Sequence, residues 1–321
     1  MHNAWPHRLI VTHGTYTLTA RNQGCILISM KAMKYTITDL RADFPDDAAC
    51  LGWLKDYLFP DGISCPTENK VTPHHKLSKR KAYSCELCGH HTYPTANTIF
   101  HKSSTPLTLW FYAIYFMTAT RAGISAKQLE RELGVTYKTA WRMFHQIRSM
   151  MGDDSELSGE VEVDETYIHP DPSKNSRLKS ESGKRYHNSQ VIFGMVERGG
   201  KARVKHVKSA GKRVLVPEIQ KGIKVGSTVF SDEWKAYDKL PMYGYPHESI
   251  KHSANQYVAG RIHTQNVDNL WSNMKRGIKG VYRHVDAQYL QAYVDEYAFR
   301  YSHRNDFQPM FWALIGQVAK K

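Results

Sequence analysis

The sequence predicts an α/β protein whose C-terminal half forms a mixed-sheet domain, with two small modules before it. Three observations carry this. Beyond Gly152, helical periodicity gives way to alternating apolar segments in the order strand, strand, strand, helix, strand, helices. A Cys-x-x-Cys-Gly knuckle that starts at Cys85 answers an upstream Cys65. Between the knuckles and the strands, residues 125–148 read as two amphipathic helices around a Gly-containing turn.

At 321 residues the chain exceeds one small core, and 41% hydrophobic with 12% aromatic residues suffices for packed interiors. Lys and Arg number 44 against 30 Asp and Glu, so the net charge is +14 and the expected partner is a polyanion, nucleic acid first. The most apolar run, 107–118, is too short for a bilayer and fits a buried helix, so no membrane association is expected. Five cysteines, odd in number and unevenly placed, argue against a secreted disulfide framework and for a reducing, cytoplasmic setting.

In chain order, residues 1–33 lack clear periodicity, as either a flexible arm or an untranslated leader upstream of Met30 or Met33 would. Residues 34–102 read as a helix followed by a ribbon. Leu51, Leu54 and Leu58 have helical spacing, with Asp46 or Asp47 as cap and Pro60 as stop. Cys65, Cys85 and Cys88 are the expected thiolates of a zinc ribbon, a unit too small to fold on buried surface alone. The first knuckle carries Glu68 where a cysteine belongs. Glu68 or His74 (or His75) would then be the fourth Zn²⁺ ligand, or packing would hold the fold without metal.

Residues 103–152 read as a helix-turn-helix, with Ser125 and Thr136 as N-caps and Leu129, Leu133, Val135, Ala140 and Phe144 between the helices. Lys138, Thr139, Arg142 and His145 would face outward, which makes Lys138 and Arg142 candidate DNA contacts.

Residues 153–321 carry the strands, whose order is that of the ribonuclease-H-like fold. In segment 159–168, Val161 and Val163 take one face while Glu160, Glu162 and Asp164 take the other. The ends of the first and fourth strands lie side by side in such a sheet, which would bring Asp164 to Asp232. Two converging carboxylates repel unless a cation such as Mg²⁺ or Mn²⁺ lies between them. A third candidate is Asp268, beside the buried stripe Val267, Leu270, Trp271 and Met274 of a helix capped by Thr264. Lys275 and Arg276 give that helix a basic end suited to phosphate. Glu160, Glu162, Glu165 and Glu233 are expected to be solvated or to stand behind the ligands, and Trp234 and Trp271 to be core. Tyr289, Tyr293, Tyr297 and Tyr301 form a helical stripe over the sheet.

Val-Asp-Glu-Thr-Tyr at 163–167, Ser-Asp-Glu-Trp-Lys-Ala-Tyr at 231–237, His-Thr-Gln-Asn-Val-Asp-Asn-Leu-Trp-Ser from 263 and Tyr-Val-Asp-Glu-Tyr-Ala-Phe-Arg-Tyr at 293–301 carry a resemblance. Together they are similar to the ISXO-like insertion-sequence transposases, which join an N-terminal zinc ribbon to a DDE-type domain. The resemblance implies Asp164, Asp232 and Asp268 as the three catalytic acids on Mg²⁺ or Mn²⁺. It also implies element ends and target DNA as substrates, and a homo-oligomer holding two ends together. The chain departs from that pattern at Asp268, where the family usually has the longer Glu with Asn269 here as a neighbouring donor, and at Glu68. A non-catalytic DNA-binding protein and a structure-selective nuclease on the same fold are the alternatives.

Overall fold

The computed structural model describes residues 33–168, 189–232, 234–249 and 263–319. Residues 1–32 of the expected leader and Glu233 lie outside them. Helix α1 (Ile37–Asp43) opens on a capping box between Thr36 and Asp39, and α2 (Asp47–Leu58) on Asp46, whose side chain accepts from the Ala49 amide. Five short strands follow. β1 (Ser64–Cys65) pairs with β2 (Lys70–Val71), while β3 (His74–Lys76), β4 (Tyr83–Cys85) and β5 (His91–Thr92) form an antiparallel three-stranded sheet.

The run at 107–118 is the buried helix expected of it. In α3 (Leu107–Ala119), Leu107, Trp110, Phe111, Ile114 and Met117 are buried. Helices α4 (Ala126–Leu133) and α5 (Tyr137–Arg148) are capped by Ser125 and Thr136 and joined through Gly134, which takes the left-handed conformation at φ 64°. The core of α1 to α5 is not closed by its own segment. Phe311, Leu314 and Ile315 of the last helix, here α9 (Met310–Ile315), pack into it beside Phe44, Phe111 and Leu54.

The large sheet has the order β10-β9-β6-β7-β8, with β6 (Glu160–Ile168) central and β7 (Gln190–Glu197) and β8 (Ala202–Val207) as its antiparallel neighbours on one side. On the other side β9 (Thr228–Ser231) runs parallel to β6, and β10 (His247–Ser249) parallel to β9. Helix α6 (Lys212–Gly222) covers one face, packing Leu215 and Ile219 on Val161, Val163 and Phe193. Helices α7 (Gln265–Gly277) and α8 (Leu290–Ser302) cover the other, where Val267, Trp271, Met274, Tyr297 and Tyr301 meet Ile192, Val196 and Val204. Both faces of β6 are therefore roofed.

Two helices from different halves are tied by charge. Arg148, at the end of α5, donates to Glu296 of α8 at 2.8 Å, and Arg300 donates to the same carboxylate from one turn on at 2.8 Å. Glu296 is wholly buried, Tyr282 donates to both its oxygens, and the Arg148 guanidinium lies 3.8 Å from the Tyr293 ring centre. Arg300 also donates to the carbonyls of Met117 and Thr120, the unpaired end of α3.

Candidate active site

Along β6 the inward carboxylates differ in environment. Asp164 stands opposite Gly194 of β7 and accepts a 2.7 Å hydrogen bond from the Trp271 indole. Gly194 is what admits that indole, because a Cβ there would fall 2.5 Å from the Trp271 ring. Burial pushes the Asp164 carboxyl up to about 7; the indole bond lowers it, while the charges of Glu165, Asp232 and Asp268 raise it further. Three like charges thus reach one half-buried carboxyl.

Asp232 follows directly on β9. The parallel register aligns Glu162 with Phe230, and one more period of two carries Asp164 to the level of Asp232. Ser231 holds this end by donating to the Asp232 carbonyl at 2.7 Å, and its Oγ lies 2.8 Å from His247 Nε2. Glu165 points to the opposite face and accepts from the buried Tyr237 hydroxyl at 2.6 Å. Burial raises its carboxyl, as does the charge of Asp232. Trp234 corrects the expectation of a core residue: it is 48% exposed, with its indole N–H on the Ala210 carbonyl and its amide on Asp232.

Asp268 lies in the first turn of α7, exposed, with Thr264 Oγ1 3.5 Å from its carboxylate. Thr264 does not cap the helix through its side chain. The cap comes from across the sheet, where Glu162 accepts from the amides of Asn266 (2.8 Å) and Val267 (3.2 Å) and from Asn266 Nδ2 (2.9 Å). Glu162 is therefore no solvated strand carboxylate but a wholly buried one. The period-two pattern put it on the face of Asp164, and it needed a roof helix for its partner to be seen.

The donor set of Asp164, Asp232 and Asp268 is all carboxylate oxygen, which suits Mg²⁺ or Mn²⁺, and the mutual charge on Asp164 is what a dication would relieve. Among the described residues the group of three metal-ligating side chains with donors all within 4.8 Å is instead Cys65, Cys85 and Cys88.

Cys65 and Cys88 sulfurs lie 3.4 Å apart, and the Thr72 hydroxyl, 3.2 Å from Cys85 Sγ, leads in bringing that thiol down to about 6. Soft thiolates in this grouping fit Zn²⁺. The two knuckles share their backbone. Gly89 after Cys88 has φ 73°, and Asn69 after Glu68 has φ 52°, so Glu68 stands where a fourth cysteine would. His74 Nδ1 lies 2.8 Å from the Thr72 carbonyl, and its Nε2 is buried without a partner.

The basic residues divide. Lys138, Lys275 and Arg276 are exposed. Arg142 is half-buried, donating to Ser103 and Thr105 over the Trp110 ring, and His145 packs 3.9 Å from the Trp141 ring, so neither faces freely outward.

Residues 156–302 match the family described as the ISXO2-like transposase domain. The chain is 27% identical over 270 residues to an uncharacterized protein in transposable element ISH50 of Halobacterium salinarum, covering 78% of this chain and 90% of that one. Both matches point to the insertion-sequence transposases. A shorter match, 25% identical over 99 residues, is to an uncharacterized transposase-like protein of Haemophilus influenzae, covering 31% of this chain and 76% of the relative. The transposase domain so matched contains Asp164, Asp232 and Asp268 together with Glu162, Gly194 and Trp271. It begins after the cysteine group and the α4–α5 pair. Among the described residues no helix is long and apolar enough to cross a membrane.

Proposed function

We propose that this chain is the DNA transposase of an insertion sequence, which binds terminal repeats and cuts and joins strands by a DDE mechanism. The observation that carries the reading is the sharing of charge at Asp164 by Asp232 and Asp268, from three different elements of a transposase-family domain. Phosphodiester cleavage requires an activated oxygen in line with a leaving 3′-oxygen. Bound among these carboxylates, Mg²⁺ or Mn²⁺ would supply Lewis-acid stabilisation to both.

The chain's own part is orientation. Trp271 fixes the Asp164 carboxylate, and Ser231 fixes the end of β9 from which Asp232 projects. Lys275 and Arg276, exposed on the last turn of α7, would hold backbone phosphates without reading sequence, and Lys138 at the start of α5 would do the same on the terminal repeat. Zn²⁺ on Cys65, Cys85 and Cys88 would brace the ribbon. Two or more copies would hold paired element ends, and the expected setting is the cytoplasm, on chromosomal or plasmid DNA.

The test is cleavage and joining of a labelled duplex bearing the element's own flanking repeats, in Mg²⁺ or Mn²⁺. The native chain is expected to nick at the repeat end and Asp164→Asn to abolish nicking while binding persists. Asp268→Glu, which restores a methylene, is expected to raise the rate. Repeat-specific binding without cleavage in any metal would establish instead a repeat-binding protein that no longer cuts.

A further inference from the structure

Glu162 is a wholly buried carboxylate that the proposed chemistry does not use. Its Oε2 takes the first amides of α7, and its Oε1 takes Asn266 Nδ2 and Arg198 Nε, each at 2.9 Å, with His263 Nδ1 3.1 Å away. Arg198 extends the contact. It donates to Glu160 at 3.0 Å and to the His263 carbonyl at 2.9 Å, and its guanidinium lies 3.9 Å from the Phe230 ring centre. One carboxylate and one guanidinium therefore join β6, β9 and the entry to α7, the three elements that carry Asp164, Asp232 and Asp268.

We infer that Glu162, with Arg198, is the positioning residue of the acidic site, setting where Asp268 stands relative to Asp164. The inference rests on the metal-dependent reading above. Glu162 lies two residues before Asp164 on the same strand face, and the amide it grips at Val267 is the one next to Asp268. Any change in its reach moves the third acid bodily with the start of α7. Trp271, one turn on, makes the second attachment of the same helix to the same strand. A helix held at two points to β6 cannot rotate Asp268 away from the site. The arrangement also fixes what α7 does not do. Its N-terminal amides, a ready anion site, already face Glu162, so phosphate must be met elsewhere.

The test uses Tb³⁺ alone as probe, read by luminescence sensitised through Trp271, beside thermal melting and the cleavage assay. In Glu162→Gln, a folded chain is expected to bind Tb³⁺ at least tenfold more weakly and to need at least tenfold more Mg²⁺ for half-maximal nicking, with repeat binding within twofold of native. Asn266→Ala, which keeps Glu162 and both amides, is expected to weaken Tb³⁺ binding severalfold and decides the matter if Glu162→Gln does not fold. Tb³⁺ affinity within twofold of native in the folded variant overturns the inference, as does a native chain that sensitises no Tb³⁺. Absence of nicking by the native chain overturns the transposase reading instead, since the Tb³⁺ measurement does not depend on it.

Discussion

Trp271 is seated on Asp164 in a notch that a single missing side chain provides. Its indole donates at 2.7 Å, and Gly194 lies across the strand pair beneath the ring. Gly194→Ala would put a methyl 2.5 Å from that ring and 3.3 Å from Val267. The expected cost is about 1–3 kcal/mol by overpacking, with nicking lost because the indole leaves the carboxylate. Urea unfolding and the repeat-end assay check both.

Glu296 sets a second expectation. It is buried with two guanidiniums on one carboxylate, so Glu296→Ala leaves Arg148 and Arg300 charged and unpaired, at about 3–5 kcal/mol. Tyr282→Phe removes only a hydroxyl from the same carboxylate and is expected to cost about 1 kcal/mol. Comparing their urea midpoints separates the ion network from its hydrogen bonds.

Burial pushes the Asp295 carboxyl up to about 6, although Gln291 donates to it. The folded chain therefore holds a proton there that the unfolded chain, titrating near pH 4, has already released. Stability from this group is fully present below about pH 4, falls as pH rises to about 6, and is level above, a loss of roughly 2 kcal/mol. Asp295→Asn keeps an acceptor for Gln291 and is expected to flatten that fall, measured as unfolding free energy at pH 4.5 and pH 7.

The cysteine group predicts a metal balance. Cys88→Ser is expected to lower both bound zinc and melting temperature, while Glu68→Cys, which supplies a thiolate at a position already followed by a left-handed residue, should tighten zinc at least tenfold. Competition against a chromophoric chelator reads both changes.

Salt dependence separates the cations. Lys275→Ala is expected to lower the slope of log affinity against log salt by about 1. Arg142→Ala should act mainly on stability, because its guanidinium is engaged by Ser103, Thr105 and Trp110.

Much of this was legible in the sequence, for local reasons. The period of two in 160–168, the apolar stripe at Val267, Leu270, Trp271 and Met274, and the caps at Asp46, Ser125 and Thr136 each follow from near neighbours, and all are found. What escaped depends on partners far along the chain. Glu162 looked like any strand carboxylate until α7 lay over it, 104 residues later. Thr264 looked like a cap, yet the helix takes its acceptor from β6. Trp234 looked like core because of its size, but its ring lies at the surface with its N–H on the Ala210 carbonyl. Arg142 and His145 occupy the outward positions of an isolated helix, and α5 is not isolated.

The seating of α9 among the first helices bears on how the protein is made. Phe311 stacks 5.0 Å from Tyr35, and the Tyr57 hydroxyl donates to the Gly316 carbonyl, so the core of α1 to α5 is completed by a helix that follows the whole sheet in the chain. On the ribosome the amino-terminal helices must wait, partly unroofed, until the sheet has emerged. A chain cut short before α9 would therefore leave the core of α1 to α5 open.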